Sequence, residues 1–148
     1  IQCNGTKKGG NVAQARKRLR DEDYRLLAEF RHLVRQFLSF SEQAAAGAGL
    51  APQRHQALLA VMGLGGAATV GALAERLYMR PNSAVGLVNR LVAGRLLKRG
   101  SDRADRRRVI LTLTPGAEKM LEALTAAHRD ELSRLAPLLG PLQAQLQD

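Results

Sequence analysis

From residue 96 to residue 116 the chain reads LLKRGSDRADRRRVILTLTPG, and that stretch leaves room for little except a β-hairpin that runs straight into a helix. Leu96, Leu97, Lys98 and Arg99 form a first strand, and Val109 to Leu113 alternate apolar and other residues as a second. Thr114 then supplies an N-cap and Pro115 a first helical residue, a position where the missing proline N–H costs nothing. Four arginines, Arg103, Arg106, Arg107 and Arg108, crowd the hairpin tip against only Asp102 and Asp105. Two acids cannot pair four guanidiniums, so at least two stay available to a polyanion. The bland alternative is a solvated charge run.

Upstream of the hairpin, QRHQALLAVMGL reads as a short helix after Pro52, and Thr69 stands as an N-cap ahead of VGALAERL, whose Val70, Leu73, Ala74 and Leu77 share a face. A break at YMRP leads to NSAVGLVNRLVAGR. Two short helices joined by a tight break make a helix-turn-helix, and a hairpin immediately after it makes a winged helix. In the helix from Pro81 to Gly94, Ala84, Leu87, Val88 and Leu91 suit packing. Asn82, Ser83, Val85, Gly86, Asn89 and Arg90 are left for a groove. Asn reads adenine, Arg reads guanine or holds phosphate, and Val meets a thymine methyl. Gly86 admits close backbone approach, although Val85 and Gly86 are equally well read as a half-buried side chain and a neutral position.

Both ends of the chain carry more apolar surface than this lobe needs. Residues 21–47 open on Asp21, Glu22 and Asp23, acids suited to a helix N-terminus, and repeat Leu26, Phe30, Leu33 and Phe37 at spacings of four and three. About 26 residues at ~1.5 Å each give roughly 39 Å, longer than one small core can cover. Residues 114–148 continue the pattern through Leu121, Leu124, His128 and Leu135. Pro137 and Pro141 predict an interruption, with Leu139 and Leu142 on a final short helix. A symmetric dimer buries both faces at once, with Leu26, Phe30, Leu33, Phe37, Leu135, Leu139 and Leu142 as its dimerisation residues. The organisation expected is a basic tail over 1–20, disordered or an extra helix, a dimerisation helix over 21–47, a winged-helix lobe over 52–113 and dimerisation helices over 114–148. The fold class is mainly α with a small two- to three-stranded β wing.

Charge sharpens the choice of partner. The formal net charge is +10, and its excess sits in residues 1–20, which hold no acid, and in residues 95–108. That concentration suits double-stranded DNA better than general solubility. Aromatic residues are 3% of the chain and Cys3 is its single cysteine, so neither an intrachain disulfide nor a thiolate metal cluster is expected. His32, His55 and His128 are too dispersed to read as a metal site. No catalytic layout or cofactor motif stands out, so an enzyme is not expected. The absence of a membrane-length apolar run and of a secretion pattern points to the cytoplasm.

The segments TVGALAERLYMRPNSAVGLVNRLVAGRLLKRG and DRADRRRVILTLTPGAEKML, in this order between long terminal helices, resemble the MarR family of transcriptional regulators over roughly residues 21–146. The resemblance implies an intertwined homodimer that represses transcription from a pseudo-palindromic operator and lets go when a small phenolic or anionic effector binds. It further implies that Asp105 pairs with Arg107 to hold the wing while Arg106 reaches the minor groove. Val85 and Gly86 depart from the family pattern of a hydroxyl residue and a long basic one. A winged-helix protein-interaction module and a sequence-neutral nucleic-acid-binding protein are the alternatives.

Overall fold

A computed structural model describes residues 19–146; Cys3 and nearly all of the basic tail lie outside the described residues. The elements run α1 (Asp21–Gly47), α2 (Pro52–Leu64), α3 (Val70–Arg76), α4 (Pro81–Ala93), β1 (Leu97–Ser101), β2 (Val109–Leu113) and α5 (Pro115–Gln145), with one 3-10 turn at Gly65–Ala67 between α2 and α3.

Local chemistry sets most of these boundaries. Asp23 Oδ2 accepts from the Arg20 backbone N–H (2.6 Å) at the start of α1. Thr69 and Thr114 accept from Ala72 N–H and Ala117 N–H, capping α3 and α5. Helices α1, α3 and α4 all end in one way: a residue at positive φ turns the chain so that its own N–H and that of the next residue bond back into the last turn. Gly49 does this for α1 (φ 76), but Tyr78 (φ 52) and Arg95 (φ 57) do it for α3 and α4. A side chain in that conformation costs roughly 1–2 kcal/mol. The second and third reversals bracket α4, so the chain accepts strain on both sides of that helix.

β1 and β2 pair antiparallel, from Leu97 opposite Leu113 to Ser101 opposite Val109. The sheet has two strands. A third strand is reduced to one contact, in which Leu111 N–H donates to the Ala68 carbonyl (2.7 Å). β1 also starts one residue later than the sequence predicts, because Leu96 N–H is held by the Leu91 carbonyl in the turn that closes α4.

The C-terminal region differs from expectation. Pro137 and Pro141 lie inside a continuous α5 rather than dividing it. Each removes one backbone donor, and both are exposed. Leu135 and Leu142, seven residues apart and buried, pack with Leu33 of α1, and Leu26 and Phe37 cover the cluster. Tertiary packing on α1 holds the helix where its own propensity would not.

The main core lies elsewhere, around Leu58, Leu73, Leu87, Leu91, Leu97 and Leu111, all buried where α2, α3, α4 and the hairpin converge. The molecule therefore has a well-packed lobe and a thinner two-helix stalk.

Candidate nucleic-acid interface

Helix α4 presents a divided surface. Ala84, Leu87, Val88 and Leu91 are buried against the lobe. Asn82, Ser83, Val85, Asn89 and Arg90 are exposed, and Gly86 is half-buried. Pro81 at the first helical position needs no partner for its nitrogen, which suits an N-terminus left open. Ahead of it stand Arg80 and Tyr78, the latter wholly exposed at 99%.

Two of these groove-side residues are engaged within the chain. Arg99 of β1 donates through Nη2 to Asn89 Oδ1 (2.5 Å), which fills one of the two acceptor positions of that oxygen. Arg90 lies back along the helix with Nη1 3.5 Å from where a Cβ on Gly86 would stand. A methyl group at Gly86 would thus meet the Arg90 guanidinium in ordinary van der Waals contact.

The wing is braced by backbone-directed carboxylates. Asp102 Oδ1 accepts from Ala104 N–H (2.9 Å), and Asp105 Oδ1 accepts from Arg107 N–H (3.0 Å). The Asp102 N–H donates to the Arg108 carbonyl, and the Arg108 N–H to the Asp105 carbonyl. Asp105 therefore braces the turn through the amide of Arg107, not through its guanidinium. The wing's ion pair is Asp102 with Arg108 (3.5 Å). A short acid reaches a backbone N–H two residues on at little entropic cost, whereas a long arginine would have to fold back to meet it. Among the described residues, Arg103, Arg106 and Arg107 have no acidic partner within salt-bridge distance, and all three are exposed.

Thr114 ties the wing to α5. Its Oγ1 donates to the Arg95 carbonyl (2.8 Å) while accepting from Ala117 N–H (3.3 Å). The sequence reading missed Arg99 and Asp102 as structural members of the site. For Arg99 a signal existed: two residues after buried Leu97 on one strand, it shares that residue's side of the hairpin, although Arg99 itself is exposed.

The expected dimerisation residues divide into two sets. Leu33, Leu135 and Leu142 are buried within the chain, with Leu26 and Phe37 packed on them. Two helices lying side by side, α1 and α5, bury those leucines against each other. Phe30 and Leu139 remain exposed, beside Leu27, Val34, Leu38, Leu132, Leu138 and Leu146. Part of this face forms an apolar groove of about 480 Å³ lined by Leu26, Leu27, Phe30, Leu139, Leu142 and Leu146.

Charge follows the same division. Residues 48–114 hold eleven basic residues and three acids, whereas α1 and α5 together hold six and nine. Among the described residues no group of three metal-binding side chains forms, and no helix is long and apolar enough to cross a membrane.

Residues 48–108, spanning α2 to the wing tip, match the model of the MarR family. No curated protein matches the chain. Among solved structures it is similar to a MarR family protein from Bacillus stearothermophilus, with 18% identity, a TM-score of 0.69 and coverage of 88% of this chain and 99% of that one. It is also similar to CouR from Rhodococcus jostii RHA1, solved bound to p-coumaroyl-CoA, with 20% identity, a TM-score of 0.65 and coverage of 86% and 90%. A third is S. aureus MepR, solved in complex with DNA, with 19% identity, a TM-score of 0.62 and coverage of 80% and 90%. At these identities the likeness is one of fold.

Proposed function

We propose that this chain, whose residues 48–108 match the model of the MarR family, is a homodimeric transcription regulator, a repressor that binds a pseudo-palindromic operator and is released by a small molecule. The observation that carries this reading is the group of Arg103, Arg106 and Arg107 at the hairpin tip, exposed and without acidic partners, beside the exposed face of α4. A helix in the major groove with a guanidinium in the neighbouring minor groove is the docking such a surface supports. The MepR complex with DNA, solved on the same fold, supports it further.

Dimerisation rests on the exposed apolar faces of α1 and α5. Two lobes carried on such a stalk would read half-sites about one helical turn, ~34 Å, apart. The functional division is then a DNA-binding lobe over 52–113, with 21–47 and 114–148 joining the two copies. Release by a phenolic or anionic effector is supported by CouR, which holds p-coumaroyl-CoA on this fold. Contact with the chromosome places the protein in the cytoplasm.

The test is binding to the palindromes beside its own gene, compared with random duplex, at about 150 mM salt. A specific regulator exceeds its non-specific binding by ~10³ or more. Equal affinity for both would make it a sequence-neutral coating protein. No binding to either would leave a protein-interaction module.

A further inference from the structure

Tyr78, in the turn between α3 and α4, combines two properties that the fold itself does not call for. Its backbone is left-handed, with φ 52, a conformation that glycine adopts freely and tyrosine only with strain. Its side chain is 99% exposed, so no packing offsets that strain. Among the described residues the other non-glycine in this conformation is Arg95, whose carbonyl accepts from Thr114 Oγ1 and so ties the wing to α5. Tyr78 serves no such tie through its side chain. Its neighbours Leu77 and Met79 pack on the main core, and the Tyr78 and Met79 N–H groups bond back to the Glu75 and Ala74 carbonyls. The main chain is thus held on both sides of Tyr78 while the ring projects into solvent. Strain kept at a fixed, exposed position points to function rather than to folding.

Taking the DNA-binding reading above as premise, we infer that Tyr78 is a DNA-binding residue, whose phenol O–H donates to a backbone phosphate at the edge of the groove that α4 enters. In helix-turn-helix docking the second helix enters the major groove by its N-terminal residues and the first crosses the backbone, so the turn joining them lies over a phosphate strand. Tyr78 stands in that turn, three residues ahead of Pro81 at the start of α4. Tyrosine hydroxyls are among the groups that bond phosphate oxygens. Arg76 and Arg80 flank the turn against a single acid, Glu75, and from Arg76 to Ser101 the chain holds six basic residues and no acid. The surroundings therefore favour a phosphate. Such a contact reads no base; it fixes how α4 sits in the groove.

The experiment compares the full-length wild type with Tyr78→Phe and Tyr78→Gly. It measures the urea midpoint of each, and its affinity at roughly 50 to 200 mM salt for random duplex and for the duplex that wild type selects best from a randomised pool. Tyr78→Phe loses the hydroxyl alone, and Tyr78→Gly loses the ring and releases the strain. Both bind about tenfold more weakly, the effect of one hydrogen bond to a charged group. The loss is alike on the two duplexes, since a phosphate contact is independent of sequence. The slope of log affinity against log salt stays that of wild type, because a neutral phenol releases no counterion. The urea midpoint is unchanged in Tyr78→Phe and no lower in Tyr78→Gly, which separates the loss from any loss of folding. Wild-type affinity in Tyr78→Phe overturns the inference and leaves the DNA-binding reading intact, and so does a weakening in Tyr78→Phe that comes with a lowered midpoint. A wild-type protein that binds neither duplex overturns the reading on which the inference rests.

Discussion

The imidazole rings of His55 and His128 face each other with centroids 4.8 Å apart, where α2 of the lobe meets α5 of the stalk. His128 Nδ1 lies 2.6 Å from the Leu124 carbonyl and so carries a proton, while Nε2 lies 2.8 Å from Ser41 Oγ on α1. Phe37 and Phe40 both meet the His128 ring edge-on. Three helices are locked together here, by rings that the lobe and the stalk share.

A pH dependence follows. Burial first, and the neighbouring His128 second, hold the His55 imidazole below its ordinary value of 6.5. The folded protein thus favours neutral His55, and the unfolded chain binds a proton first as pH falls. Stability from this site is fully present above about pH 7, declines as pH drops through 6.5, and levels off below the folded value. Urea midpoints at pH 7.5 and 5.5 measure the slope, which should be shallower in His55→Gln. A variant with the wild-type slope removes His55 as its source.

Arg106→Ala should weaken binding to every DNA site by a similar factor and lower the slope of log affinity against log salt by about one phosphate contact. Arg106 has no ion pair to lose, so folding should be unaffected. Affinity measured between 50 and 200 mM salt, roughly the range over which phosphate contacts show, gives both quantities. An unchanged slope would take Arg106 out of the interface.

Gly86→Ala should stabilise the protein by about 0.5–1 kcal/mol, because glycine in a helix interior is that much poorer than alanine. The new methyl would stand 3.5 Å from Arg90 Nη1, an ordinary contact. Urea denaturation reads the gain. If α4 backbone lies against DNA at this point, the same variant binds its operator less tightly while being more stable.

Tyr78→Gly should also stabilise, by about 1 kcal/mol, since the left-handed turn at φ 52 suits glycine and strains tyrosine. The Tyr78 side chain is fully exposed, so little packing is lost in exchange. A destabilised variant would show that the ring contributes something to the fold that its exposure does not suggest.

Phe30→Glu and Leu139→Glu place charge on the exposed apolar face of the stalk, where neither side chain belongs to the buried α1–α5 cluster. Each should shift sedimentation from dimer to monomer at micromolar concentration and reduce operator affinity, while far-ultraviolet circular dichroism stays that of the wild type. Persistence of the dimer in both would move the interface elsewhere.

The winged helix was legible because its signals are local. Thr69, Thr114 and Pro115 mark helix starts by side-chain chemistry that acts within three residues, and the alternation of Val109 to Leu113 marks a strand without help from the rest of the chain. The turns that carry Tyr78 and Arg95 were not legible as such, because the sequence offers no glycine at either left-handed position. Neighbouring helices force those residues into a conformation that they would not choose alone.

The sequence by itself determined the order of elements, the buried side of α4 and the excess of arginine at the wing tip, all of which depend on spacing, capping and charge over short stretches. Tertiary structure alone decided that α5 runs unbroken past two prolines, that Leu33, Leu135 and Leu142 close on one another within one chain, and that Arg99 holds Asn89 across ten residues. Those outcomes depend on which surfaces meet in space. Burial of a leucine face can outweigh a proline's lost hydrogen bond, and a guanidinium takes whichever acceptor the fold brings within reach.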